Sequence, residues 1–373
     1  MIIKTIYANP ILGIPTARCA TLITSSLTVM RDLVYSGQVS NEKTAIVLRL
    51  ARSWFRFGSI ELLAKDGELD LLRNLLDFII EMHFKEIPVF DANRYLQLFS
   101  TIVEQTAHLI ALWQAFGFAH GVCNTDNFSI LSITIDYGPF QFMDHFDPDL
   151  VPNLSDDEKR YSYKRQPDVG YYNLEKLAES LATVLPPQER AILWNILAGY
   201  TDLYQRAYTE EFRKKLGLIV GREREDGVLV ESLLSMMAQQ KADFTLTFRQ
   251  LGATSIADLD AGHVDKKHWA LKMLLVNPKF HAWVISYRQR LEKYGITEDV
   301  RQKAMDLSNP RYVLRNWMAE AAIEAAKRND FSVVRSLARI LKRPFEEQEE
   351  AEHLGYADTP PRWASDIKIS CAS

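Results

Sequence analysis

HGVCNTDNFSILSITIDYG, residues 120–138, is the stretch whose reading decides the fold. It holds a loop of turn formers, Asn124-Thr125-Asp126-Asn127, whose short polar side chains bond nearby backbone and tolerate tight bends. A short β-like run over 130–135 follows, and Asp136-Tyr137-Gly138-Pro139 breaks it. A hairpin-like loop, strand and turn return position 136 toward position 127. The amide oxygen of Asn127 and the carboxylate of Asp136 are hard oxygen donors of the kind Mg2+ takes. Asp126, beside them, can orient or deprotonate an attacking hydroxyl. The blander alternative stays open on these residues: a turn or cap sequence, then the end of a strand.

Upstream, Leu69, Leu72, Leu75, Leu76, Ile79 and Ile80 recur at helical spacing and predict a helix ending near Phe84. A longer helix is predicted after Asp91, taken as its N-cap, and it stops near Gly117. Its stripe of Tyr95, Phe99, Ile102, Thr106, Leu109, Trp113 and Phe116 reads as core. Residues 17–29 and 44–57 are rich in Thr, Ile, Val and aromatics, with Ser36-Gly37-Gln38 between them, and predict a β pair. Downstream, 146–168 is irregular and polar. From 173 to about 341 nearly everything predicts helix, including 173–185, 187–199, 202–216, 228–241, 298–304, 312–327 and 332–341. The remainder, with Pro344, an acidic run over 346–352 and Pro360-Pro361, reads as a tail lying along the surface.

The chain has 373 residues and a formal net charge of −4, which argues against a nucleic-acid binder relying on bulk positive charge. Arg213-Lys214-Lys215, soon followed by Glu223, Glu225 and Asp226, reads as a solvated helix face. Cys19, Cys123 and Cys371 are too few and too widely spaced for a disulfide framework or a zinc pattern, so a reducing compartment is the default. Cys123, on an apolar loop flank, reads as a packed small hydrophobe. The longest stretch free of Asp, Glu, Lys and Arg, 105–125, contains His108, Gln114, His120 and Asn124 and makes a poor membrane span. MIIKTIYANP at the start lacks the pattern of a secretory signal. The histidines show no ligand spacing for zinc, and Tyr161, Tyr163, Tyr171 and Tyr172 read as packing residues.

A β pair, two helices, a polar loop, a short strand and a D-x-G turn form the order in which a protein kinase presents its catalytic and metal loops. This loop departs from that pattern, since it starts His120-Gly121 rather than His-Arg-Asp and sets Asp126 directly beside Asn127. HGVCNTDNFSILSITIDYGPFQFMDHFDP is similar to the signature of the selenoprotein O family, protein adenylyltransferases with a kinase-like fold. The likeness continues through SDDEKRYSYKRQPDVGYYNLEKLAESL, NPRYVLRNWMAEAAIEAA, RPFEEQEE and PPRWASDIKISCAS, with LGIPTARC and VLRLARSWFRFGSIEL near the start. It covers essentially the whole chain.

The resemblance implies that Asp126 is the catalytic base, that Asn127 and Asp136 hold Mg2+, and that Arg49 and Arg56 contact the bound nucleotide. On the residues alone, those two arginines read as solvent-facing strand positions. It also implies ATP bound in a flipped orientation, so that AMP passes to a Ser, Thr or Tyr hydroxyl of a protein and pyrophosphate leaves. Redox-linked proteins are the suggested substrates; neither nucleic acid nor a membrane is an expected partner. The expected fold is α+β, predominantly α, and protein-kinase-like. An incomplete N-lobe sheet and first C-lobe helix fall in 1–84, the C-lobe with its catalytic and metal loops in 85–225, and a helical extension with the tail in 226–373.

Two departures from the family pattern bear on activity. The family's glycine-rich phosphate loop, nucleotide lysine and partner glutamate lie upstream of LGIPT, which begins here at Leu12, so the chain reads as N-terminally truncated. Lost phosphate contacts are expected to weaken transition-state stabilisation. Cys371 stands where many eukaryotic relatives carry selenocysteine, and Pro152 occupies the place of a possible pairing cysteine, which makes Cys371 a free-thiol redox candidate. The rival readings are an impaired pseudoenzyme that engages partners through its extension and tail, and an ordinary kinase. By analogy the protein is mitochondrial if eukaryotic and cytoplasmic if bacterial, and the wording after the D-x-G turn reads as the more eukaryotic.

Overall fold

The Thr- and Ile-rich start of the chain forms an antiparallel hairpin, β1 (Arg18–Arg31) paired with β2 (Ser40–Leu50). The computed structural model describes residues 11–32, 37–367 and 369, and the α+β chain is predominantly helical. β-branched side chains suit a pleated ribbon, but two strands alone bury little, and most of this hairpin is exposed. The second β run ends earlier than expected. It stops at Leu50, and Phe57–Lys65 is a helix, α1, with Phe57 and Ile60 buried at helical spacing. Just ahead of it the backbone is engaged elsewhere: Ile130 N–H donates to Phe55 O at 3.0 Å and Phe57 N–H to Phe128 O at 2.9 Å.

α2 (Leu69–His83) buries Leu72, Leu76, Ile79 and Ile80, as its spacing requires. α3 (Arg94–Ala115) buries its expected stripe, with Phe116 buried just past its end. Asp91 is not its N-cap. The helix begins after Asn93, and the Asp91 carboxylate accepts from Asn93 N–H at 2.8 Å and Gln97 Nε2 at 2.9 Å, closing the preceding turn.

Residues 130–135 do not form the expected strand. Ser132 takes a φ of +48°, and its N–H donates to Ser129 O at 2.9 Å, so the chain turns in mid-run. Flanking groups bond the chain start instead, with Thr134 N–H to Pro15 O at 2.8 Å and Ala17 N–H to Thr134 O at 3.0 Å. The short ladder here is β3 (Phe118–Ala119) against β4 (Gln141–Phe142).

The helical second half comprises α4 (Gln166–Ala182), α5 (Pro187–Ala198), α6 (Tyr200–Lys215), α7 (Glu225–Gln240), α8 (Phe244–Ala253), α9 (Ile256–Asp260), α10 (Trp269–Leu275), α11 (Phe280–Lys293), α12 (Glu298–Ser308), α13 (Asn316–Lys327) and α14 (Ser332–Ile340). α4 starts seven residues before position 173 because Pro167 sits in its first turn, where a missing N–H costs nothing. α13 starts later than 312, since Tyr312, Val313 and Leu314 are buried irregular chain. The tail is not merely laid on the surface: α15 (Glu349–His353) and the chain after it bury Ala351, Tyr356 and Ala357 in the same core that contains Leu12.

Arg213-Lys214-Lys215 is not a solvated face. Only Lys214 is exposed, bonded to Glu211 at 2.6 Å. Arg213 is buried, donates to Leu218 O at 2.9 Å and pairs with Asp226 at 3.4 Å. The Lys215 ammonium lies over the Phe248 ring, 4.4 Å from its centroid. Three consecutive residues fan around most of a helix's circumference, and this end of α6 is covered from more than one side.

Candidate active site

Arg49 near the end of β2 and Arg56 at the start of α1 converge on one carboxylate. Arg49 Nη1 lies 2.5 Å from Asp136 Oδ1, and Arg56 Nη1 lies 3.6 Å from Asp136 Oδ2. Arg56 Nη1 also donates to the backbone oxygen of Asp126 at 3.2 Å. The two arginine side chains are 33% and 35% exposed, so they line a mouth open to solvent. The solvent-facing strand reading of these arginines misses this convergence, because nothing in their local pattern foretells a partner 87 and 80 residues away.

Asp126 rides on the 3-10 turn Thr125–Asn127, which packs against the first turn of α1. A Cβ at Gly58 would fall 2.2 Å from Asp126 Oδ1, so only glycine leaves room for that carboxylate. Thr125 Oγ1 donates to Glu61 Oε2 at 2.7 Å and ties the turn to the next turn of α1. Asn127 Nδ2 donates to Val122 O at 2.9 Å, which commits the amide nitrogen to the backbone and leaves the oxygen as the atom able to accept or ligate.

Asp136 has a φ of +50°, in the left-handed region that a non-glycine residue seldom adopts. Several buried groups hold the chain around it. His120 Nε2 bonds Ile135 O at 2.8 Å, and its ring lies between Trp113 and Tyr137. Burial lowers the His120 pKa, so the ring is neutral and Nε2 donates. Trp113 Nε1 donates to Thr134 Oγ1 at 2.9 Å, and the hydroxyls of Thr106 and Ser132 meet at 3.1 Å. On the other side, Gln166 accepts from His120 N–H at 2.9 Å, and Asn173 Nδ2 donates to Cys123 O at 2.7 Å. From the sequence Trp113 and Thr106 read only as core of the α3 stripe, and Gly58 and Gln166 carry no assignment; a polar residue such as Thr106 within an apolar stripe is the one signal that could have found this support.

Among the described residues there is no cluster of three or more His, Cys, Asp or Glu able to hold a metal. The donors present, an amide oxygen and a carboxylate, nevertheless suit Mg2+, which keeps several waters and adds substrate phosphates to one or two carboxylates. Asp136 already faces two guanidinium groups, so its position is one that positive charge stabilises. The chemistry of these two donors fits the ion. Cys123 is buried and its thiol is pushed well up by desolvation, while Cys371 lies outside the described residues.

Paired guanidinium groups beside an oxygen-donor turn suit an enzyme that moves a phosphate-bearing group, and the class here is nucleotidyltransferase. The chain matches the family model described as "Protein adenylyltransferase SelO" over residues 5–342, and it belongs to that family, as its sequence motifs implied. It is 39% identical over 362 residues to the protein nucleotidyltransferase YdiU of Erwinia tasmaniensis, covering 97% of this chain and 71% of that relative. It is 41% identical over 366 residues to the protein of that name in Pseudomonas entomophila, covering 97% and 70%. The Paraburkholderia xenovorans protein is 41% identical over 371 residues, covering 97% and 68%. Among the described residues, no helix is long and apolar enough to cross a membrane.

Proposed function

We propose that this chain transfers AMP from ATP to Ser, Thr or Tyr hydroxyls of proteins, using a kinase-like arrangement of hairpin, loop and D-x-G turn. The observation that carries this reading is the convergence of Arg49 and Arg56 on Asp136, with Asp126 held next to Arg56. Two exposed guanidinium groups at one mouth match the charge and planar geometry of phosphate oxygens. In the proposed reaction the acceptor oxygen attacks the α-phosphorus. The bond from that phosphorus to the bridging oxygen breaks, pyrophosphate leaves with the electron pair, and the hydroxyl proton passes to the Asp126 carboxylate. Arg49 and Arg56 turn from Asp136 to the nucleotide's phosphates. Asn127 and Asp136 would hold Mg2+, which when bound neutralises charge on the phosphate oxygens.

Redox-linked proteins are the substrate class carried over from the family resemblance, with Cys371 as the redox candidate. The bacterial relatives favour the cytoplasmic over the mitochondrial alternative. A paired assay tests the reading: the protein and casein as acceptor are incubated with Mg2+ and ATP labelled at either the α- or the γ-phosphate. Label is expected from the α position only. Label from γ alone would replace AMP transfer by phosphorylation, and no label from either would leave this chain a partner-binding pseudoenzyme. Asp136→Ala is expected to lower transfer by about 100-fold or more; full activity in that variant would remove Asp136 from the metal role.

A further inference from the structure

The chain after the D-x-G turn is pinned on two sides. Toward the catalytic loop, a Cβ at Gly121 would fall 2.2 Å from Pro139 O, β4 pairs with β3, and Met143 N–H donates to Gly117 O at 2.9 Å. Toward the helical second half, Phe244 N–H donates to Asp144 O at 2.9 Å and Phe146 N–H to Ala242 O at 2.8 Å. Arg315, the residue before α13, reaches into this seam from 171 residues further along the chain. Its Nη1 lies 2.9 Å from Asp144 Oδ1 and 2.6 Å from Asp243 Oδ2, and its Nη2 lies 3.0 Å from Asp243 Oδ1.

The chemistry of this cluster is one-sided. The Arg315 and Asp243 side chains are each 2% exposed, whereas Asp144 is 20% exposed. Asp243 also caps α8, accepting from Leu246 N–H at 2.8 Å, so it belongs to the helical framework. Asp144 belongs to the segment. A desolvated, planar guanidinium bound in a fork by one carboxylate has little freedom left, and the second N–H on Nη1 fixes where the other carboxylate sits. In segments switched by phosphorylation, an arginine orders the chain by binding a phosphoryl group added later. Here the anion is an encoded aspartate, present without any modification.

We propose that Arg315 is a positioning residue for the transfer reaction. Acting through Asp144, it fixes the segment 139–147 as one wall of the acceptor's approach to Asp126, so that the site is assembled without an added phosphoryl group. The reaction half of this inference rests on the AMP-transfer reading; the ordering of the segment is measured separately from it.

The test uses the full chain and Asp144→Ala, which keeps the Arg315–Asp243 fork and the cap of α8. Amide hydrogen exchange is expected to show protection within 139–147 falling about tenfold, with α3 and α8 unchanged. With casein as acceptor and α-labelled ATP, KM for casein is expected to rise about fivefold while KM for ATP stays within about twofold. Asp144→Glu, which restores the charge, is expected to recover part of both effects. Unchanged exchange in the segment would overturn the proposal, as would protection lost together in α3 and α8, which would make Arg315 a staple of the whole fold. Parallel rises in both KM values would also overturn it. If the unaltered protein transfers no label, the AMP-transfer reading fails and the exchange result alone decides whether Arg315 orders the segment.

Discussion

Gly58 shows how an absent side chain can place a reactive one. The Cβ of an alanine there would fall 2.2 Å from Asp126 Oδ1 and 3.1 Å from its Cγ. The atoms it meets are the far end of a rotatable, exposed side chain, so the carboxylate swings aside and the backbone stays put. Alanine is the better helix former by up to about 1 kcal/mol. Gly58→Ala is therefore expected to leave Tm unchanged or slightly raised and to cut AMP transfer by about 100-fold, the order expected when a catalytic group moves by about 1 Å. Thermal melts and initial rates on the same preparation check both halves. An alanine variant with full activity would take Asp126 out of the base role. Residue types and the order of the elements raised Asp126, Asn127 and Asp136 as candidates but left a plain turn open, and the family resemblance supplied their roles. The pairing of Arg49 and Arg56 with Asp136 was invisible locally, since it is made by tertiary approach.

At the scale of elements, α3 carries the run leading into the D-x-G turn through polar groups set into an apolar stripe. Trp113 Nε1 holds Thr134 Oγ1 at 2.9 Å, and Thr106 meets Ser132 at 3.1 Å. Trp113→Phe would leave the buried Thr134 hydroxyl without its indole donor and open space between α3 and the loop. The expected loss is about 2–3 kcal/mol in denaturant unfolding, with the amides of Ser132 and Thr134 losing hydrogen-exchange protection before the centre of α3 does. No change in stability would mean that the hydrogen bond is replaced at no cost. The long helices were legible because 3.6-residue periodicity is a strong signal, as in Leu72, Leu76, Ile79 and Ile80. The 130–135 run was misread for a physical reason. Its β-branched residues promise a strand, but their hydrogen bonds go to Phe55 and Pro15, far away in the chain, and Ser132 turns in the middle.

Across the whole molecule, one apolar cluster ties the first residues described to the last helices, and Lys215 lies where several elements close over a second. Its ammonium faces the rings of Phe116, Phe244 and Phe248, and burial pulls its pKa from 10.5 down to about 7. The ring faces favour the cation while desolvation opposes it, and desolvation is the larger effect. Between about pH 7 and 10.5 the unfolded chain holds a proton that the folded chain has released, so stability rises with pH through that window. Below about pH 7 the folded protein carries the full cost of a buried ammonium. Buried tyrosines such as Tyr163 and Tyr200, raised by desolvation, oppose this trend above about pH 10, where unfolded tyrosine ionises first. The measurement therefore belongs between about pH 7 and 9.5, taken as a difference between two proteins. Lys215→Met keeps an unbranched stem against the rings and removes the charge. It is expected to be more stable than the unaltered protein by about 1–3 kcal/mol at pH 7 in urea unfolding, with the gap closing toward pH 9.5. A gap that stays constant with pH, or a methionine variant that is the less stable at pH 7, would mean that the three rings hold the cation more firmly than burial expels it.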